Sequence, residues 1–158
     1  MEHRVSFTEP SLKGRALRLL GRREHSRAEL EQKLKRFEEQ PGALERALDQ
    51  LQAKGFIDEQ RVIESVLHRR AAKLGLARIK QELQAKGLDP RAVTEALAGL
   101  QTSERARALE VWRKKFGEPA ATPQDAAKQM RFLASRGFGG DVIRRVVMGA
   151  FGDGGSDS

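Results

Sequence analysis

Leu34–Leu48 reads LKRFEEQPGALERAL, Leu83–Leu97 reads LQAKGLDPRAVTEAL, and Leu133–Val147 reads LASRGFGGDVIRRVV. These are three versions of one pattern. The first two register at an offset of 49, which places Pro41 over Pro90. The last two register at 50, which places Gly87-Leu88 over Gly137-Phe138 and Val93 over Ile143. No gap is needed within the pattern. A step of this size marks a helical repeat array, in which each unit buries its apolar face on a neighbour. Such an array offers a long surface to a partner, which tilts the reading from catalysis toward binding.

Outward from the repeats, apolar spacings of three and four predict nine helices in three groups of three. The first helix covers about Leu12 to Arg23. Ser26-Arg27-Ala28-Glu29 is a capping box that opens the second, with Leu30, Leu34 and Phe37 on one face. Pro41 is placed at the start of the third, with Leu44, Leu48 and Leu51 inward and Gly55 at its end. Asp58 caps the fourth, whose stripe is Val62, Ile63, Val66 and Leu67. Gly75 precedes the fifth, which buries Leu76, Ile79 and Leu83 and closes at Gly87. Asp89-Pro90 pairs an N-cap with a first-turn proline for the sixth. Ser103 opens the seventh, with Ala106, Leu109, Trp112 and Phe116 inward. GEPAAT, residues 117–122, is the one clear linker. Thr122 to Asp125 repeats the capping-box logic for the eighth, which buries Ala126, Met130 and Leu133. The ninth buries Val142, Ile143, Val146 and Val147. The expected fold is all-α, three tandem three-helix repeats in an elongated, curved array. Its boundaries are 11–57, 58–101 and 102–151, between a flexible segment at 1–10 and a disordered tail at 152–158.

The chain has 158 residues, with 30 Lys and Arg against 22 Asp and Glu, a net charge of +8. A basic surface seeks phosphate or an acidic protein face. With seven Phe, one Trp and no Tyr, it is poorly equipped to read single strands by base stacking. No cysteine is present, which excludes disulfides and thiolate metal sites and fits a reducing cytosol. No apolar run approaches a membrane span, and MEHRVSFTEP lacks a secretory layout. A cytoplasmic protein that is monomeric and has no membrane partner is expected.

The charge is uneven. Residues 1–50 hold 11 basic and 9 acidic side chains, whereas residues 101–150 hold 10 and 5. Seven basic residues between Arg69 and Arg91 face only Glu82 and Asp89. The middle and C-terminal repeats are therefore the expected contact face. Its candidate residues are Arg69, Arg70 and Lys73, on one flank of the fourth helix, Arg78, Lys80 and Lys86, Arg113, Lys114 and Lys115, and Arg144 and Arg145. The bland alternative, an ordinary solvated face, carries about equal weight.

No enzyme site is visible. Glu64 and His68 are four apart, as two metal ligands could be, but no second His or Cys stands nearby. His25 reads as a loop residue. None of the serines sits in a nucleophile elbow. Gly137-Phe138-Gly139-Gly140 lacks the Gly-Lys-Ser/Thr ending of a phosphate loop and reads as a turn. Phe56 and Phe138 each follow a turn glycine and read as core, as does Trp112. No catalytic residue, metal, cofactor or small-molecule substrate is assigned.

Three stretches carry a resemblance. LQAKGFIDEQRV, with Gly55, Phe56, Ile57, Asp58, Glu59 and Arg61, resembles the end-of-first-unit motif of the RecX regulatory proteins. KLGLARIKQELQAKGLD is similar to that family's central basic helix. KQMRFLASRGFGGDVIRRVV, with Arg136, Gly137 and Phe138, is similar to its C-terminal Arg-Gly-Phe motif. The resemblance spans roughly residues 11–150. It departs where Leu76 replaces a proline after the central glycine, where Val62-Ile63-Glu64 follows the acidic turn, and at the GEPAAT linker. It implies a protein of DNA repair and the SOS response. Such a protein would bind the RecA nucleoprotein filament, inhibit its ATPase, recombinase and co-protease activities, and bind single- and double-stranded DNA weakly through phosphates. The competing reading from the three-helix units is a sequence-independent or helix-turn-helix DNA-binding protein.

Overall fold

The computed structural model describes residues 9–153. The expected flexible start, up to residue 8, and the expected tail from residue 154 lie outside the described residues. Among the described residues every regular element is a helix: α1 (Leu12–Leu20), α2 (Arg27–Leu34), a short 3-10 turn (Lys35–Phe37), α3 (Ala43–Ala53), α4 (Glu59–Arg70), α5 (Leu76–Ala85), α6 (Pro90–Gln101), α7 (Glu104–Lys115), α8 (Pro123–Ser135) and α9 (Gly140–Asp153).

The helix starts follow local chemistry. Ser11 accepts from the Gly14 amide to open α1. The Ser26 capping box on α2 has both arms, Oγ accepting from Glu29 N–H and the Glu29 carboxylate accepting from Ser26 N–H. Asp58 Oδ1 accepts from Arg61 N–H at the start of α4. Asp89 caps α6 with Pro90 in its first turn, and Thr122 caps α8 through the Asp125 amide.

Several expectations are corrected. Pro41 does not begin α3. It sits in the turn before it, and Gly42 (φ 84°) is the N-cap, so Pro41 and Pro90 align in sequence but do different work. Ser103 does stand at the N-cap of α7, but its hydroxyl donates back to Leu100 O and makes no cap bond. Ala106 is exposed, and Ala108 takes the inward position beside Trp112. α1 ends at Leu20 rather than near Arg23, and α9 runs to Asp153.

Two compact units emerge. One takes the chain up to Val62 together with Lys86–Leu88; the other takes Ile63–Ala85 and the chain from Asp89 onward. In the first, Ala16, Leu30, Leu34, Leu44, Leu48, Leu51 and Ile57 form the core. In the second, one cluster joins Ala108, Trp112, Leu133, Phe138, Ile143, Val146 and Val147. Trp112 keeps its indole N–H satisfied by donating to Gln129 Oε1 at 2.8 Å, while Gln129 donates to Glu118 O. Phe138 is core as expected, but Phe56 is 46% exposed and Ile57 beside it is buried. The two phenylalanines follow glycines in different parts of the repeat: Phe138 follows a second-helix turn, Phe56 the end of a third helix.

The fifty-residue step has a structural cause within each unit. The α5–α6 turn seats on the start of α2. Ser26 Oγ donates to Lys86 O at 2.6 Å, and a Cβ on Gly87 would lie 2.7 Å from Ala28 Cβ. The α8–α9 turn seats on the start of α5 in the same way. Gly75 N–H donates to Arg136 O (2.8 Å) and Ala77 N–H to Gly137 O (3.2 Å). Ala28 and Arg78, the residues beneath the two turn glycines, are themselves fifty apart.

α5 has no Ser, Thr, Asp or Asn at its start. Its first amides are satisfied instead by Arg136 O, by Gly137 O and by the buried Glu104 carboxylate, which accepts from Leu76 N–H at 3.3 Å. Arg107 fastens the other end of the same junction. Its guanidinium donates to Ala71 O and Leu74 O, both at 2.8 Å.

Gly75 and Gly137 are therefore sterically fixed. A Cβ on Gly75 would lie 2.4 Å from Gly137 O, and one on Gly137 (φ 93°) would lie 2.6 Å from the Arg78 backbone nitrogen. Gly75→Ala and Gly137→Ala should each cost roughly 1–3 kcal/mol by overpacking and, at Gly137, strain. Gly99, inside α6 with nothing within 4 Å of a built Cβ, supplies the contrast: Gly99→Ala should stabilise by roughly 0.5–1 kcal/mol. Chemical denaturation of the three variants checks this, and equal effects at all three would refute the close seat.

Candidate functional site

The second unit brings part of the expected basic face into one groove. Arg70 at the end of α4, Lys73 in the turn after it, Arg78 on α5 and Arg136 after α8 line a groove of about 460 Å³ with Leu74, Gln81 and Glu82. α4 stops at Arg70, so Lys73 projects from the following turn and not from the helix flank.

Each cation is held differently. Arg70 Nε donates to Glu82 Oε1 at 3.0 Å, and Arg69 approaches the same carboxylate at 3.7 Å. Both pairs are solvent-facing, so they set geometry more than stability. Arg78 donates to Ser135 O at 2.7 Å, which fixes it against the α8–α9 turn. The Arg136 guanidinium lies 4.5 Å from the Phe132 ring centroid, and Phe132 meets Phe116 edge-on. Four cations against one carboxylate can hold a phosphate or a carboxylate group by charge-assisted hydrogen bonds.

Other expected residues fall elsewhere. Arg69 is exposed but does not line the groove. Lys80 is exposed on α5, and Lys114 on α7. Arg113 pairs with Glu110 at 3.0 Å, and Lys115 Nζ lies 5.3 Å from the Phe132 ring centroid. Arg144 pairs with Asp141 one turn back. Arg145 lines a separate groove with Arg105, Leu109 and Val146.

Lys86 is a correction. Its side chain is 12% exposed and pairs with Glu29 at 3.3 Å, so it belongs to the first unit's interior surface. Arg136 stands at the same register, fifty residues on, and was missed as a site residue. The repeat itself held the signal. Glu29 of the first repeat registers, at an offset of 49, with Arg78 of the second, so Lys86 meets a carboxylate where Arg136 meets none and lines the groove.

His25 is a loop residue, as expected, and it is buried, 2% exposed. Lys33 can only donate, so Nε2 accepts from Lys33 Nζ (3.0 Å) and Nδ1–H donates to Arg23 O (3.0 Å). Burial lowers its pKa below 6.5, the bond to Arg23 O opposes this, and the Arg23 and Lys33 charges add to the lowering. Glu29 is raised by burial, but bonds from Arg23 and Ser26 N–H and the Lys86 and Arg23 charges outweigh this and bring it to about 2.

Both groups bind fewer protons folded than unfolded, so both contribute stability that is lost toward acid. Stability from His25 is complete above pH 6.5 and declines as pH falls through its lowered folded value. Stability from Glu29 declines between pH 4.5 and about 2. A thermal melt series across pH should show a first drop below 6.5 and a second below 4.5. His25→Gln should remove only the first, and an unaltered drop in that variant would disprove the assignment.

A chain of three-helix units with glycine turns seated on helix starts, and with a basic groove, is a helical-repeat protein. Family models described as the first, second and third three-helix domains of RecX match residues 13–51, 58–97 and 103–147. A protein named Regulatory protein RecX from Leptothrix cholodnii is 53% identical over 87% of each chain. Its namesake from Ralstonia nicotianae is 47% identical, covering 89% of this chain and 88% of its own. The crystal structure of RecX from Lactobacillus salivarius shares the fold at TM-score 0.69 and 21% identity, over 88% of this chain and 94% of that one. The chain belongs to the RecX family.

Proposed function

We propose that this protein is a regulator that binds the RecA nucleoprotein filament and lowers its ATPase, recombinase and co-protease activities, acting as a monomer in the cytoplasm without catalysis of its own. The relatives' name, Regulatory protein RecX, supports a regulatory role. The observation on the chain itself that favours binding is the groove of Arg70, Lys73, Arg78 and Arg136. Arg78 and Arg136 flank the turn that the repeat seats most tightly, so the cations are presented on rigid backbone and lose little entropy on binding. Their charge suits DNA phosphates or acidic residues within a filament.

Lys73 and Arg136 are exposed, and neither makes an ion pair among the described residues. The double variant Lys73→Glu with Arg136→Glu should keep its helix content and lose no more than about 1 kcal/mol of stability. Added at substoichiometric level to RecA on single-stranded DNA, it should slow ATP hydrolysis at least about tenfold less effectively than wild type, since like charges across an interface are costly. The wild-type effect should also weaken with salt. A folded double variant that inhibits like wild type would remove this groove from the mechanism. Binding to one bare DNA site about 1,000-fold over random DNA would favour a sequence reader instead.

A further inference from the structure

The first unit contains a groove that its near-balanced charge count conceals. It measures about 970 Å³ and is lined by Arg15, Arg18 and Arg22 on one wall and Lys33, Lys35 and Arg36 on the other, with Leu19, Leu34 and Phe37 between them. No Asp or Glu lines it. Four of the unit's acids are engaged elsewhere: Glu29 with Arg23 and Lys86, Glu24 with Arg61, and Asp49 and Glu31 with Arg27. Within the groove the one ion pair among the described residues is a long one, Arg15 to Glu9 at 3.9 Å.

The spacing is built in. Arg15 and Arg18 are three apart on one flank of α1, and Arg22 follows from the turn after it. Lys33 comes from the last turn of α2, where it also reaches His25, and Lys35 and Arg36 come from the 3-10 turn. Six cations around an apolar floor require a polyanion that also carries something apolar.

We propose that this groove docks an acidic peptide segment of a protein partner, with a leucine- or phenylalanine-type anchor on the half-buried Leu19 and Phe37 over the core residue Leu34 and carboxylates on the basic walls. A single nucleic-acid strand fits less well. Its apolar parts are base faces, which need a free aromatic plane. The groove's single ring, Phe37, already lies beneath the Arg15 guanidinium at 3.7 Å and that of Arg36 at 4.7 Å. The rest of the floor is aliphatic, which accepts a side chain as helix-in-groove and peptide pockets do. This inference stands apart from the role of the Arg136 groove, whose variants leave these residues untouched.

The test uses the full chain and a fluorescein-labelled synthetic peptide of glutamates and aspartates around a Leu-Phe pair, read by fluorescence anisotropy. A peptide with serines at the anchor positions and a labelled oligothymidylate of matched charge run beside it. Arg18 and Arg22 are exposed, so Arg18→Glu with Arg22→Glu should leave the fold intact, as circular dichroism checks. Expected are saturable binding of the anchored peptide, at least about tenfold loss without the anchor, and a similar loss in the double variant. Lys73→Glu with Arg136→Glu should bind the peptide like wild type. The proposal is overturned if the oligonucleotide binds as tightly as the anchored peptide, if the anchor makes no difference, or if the folded Arg18, Arg22 variant binds unchanged.

Discussion

The contact on which the other features rest is the seat between a turn glycine and the start of an earlier helix. In each case a carbonyl at the end of one repeat's second helix accepts a hydrogen bond from the N-terminal residue of the preceding repeat's second helix. The next residue is a glycine pressed onto that helix so closely that no Cβ fits. A helix start offers unpaired amides and a positive dipole end, and a helix finish offers unpaired carbonyls. Joining the two satisfies both directly.

The two seats solve the same problem with different chemistry. At α2 the amides are satisfied locally by the Ser26–Glu29 box, and the serine hydroxyl spares a proton for Lys86 O. At α5 nothing local is available, and Arg136 O, Gly137 O and Glu104 supply all the acceptors. That difference propagates to the surface. Glu29 serves the first seat and draws Lys86 inward. Arg78 stands at the matching position of the second, so no carboxylate draws Arg136 inward and the two line a groove.

Charge is sorted in the same way. The first unit looks balanced by composition, but Glu24, Glu29 and Asp49 are engaged in ion pairs away from the groove, whose lining holds no acid. In the second unit Glu82 stays within the groove and moderates it. The two grooves therefore have different character, one with an apolar floor and dense cations, the other smaller and mixed.

The sequence by itself determined the helices, their order and much of the core. Periodic Leu, Ile and Val, the Ser26 box, the Thr122 cap and the Asp89-Pro90 start are local signals, and local hydrogen bonds decide where such helices begin. The fifty-residue repeat was legible for the same reason, since the turn glycines must recur wherever the seat recurs. What only the tertiary structure decided is which charged and aromatic side chains are free. Lys86 and Arg136 share a register, yet their fates depend on residues far earlier in the chain, Glu29 beside the first and Arg78 beside the second. His25 is buried because Lys33 and Arg23 close over it, and Phe56 is exposed because Ile57 takes the inward place. Pairing of this kind depends on distances between residues remote in sequence, which neither composition nor periodicity encodes.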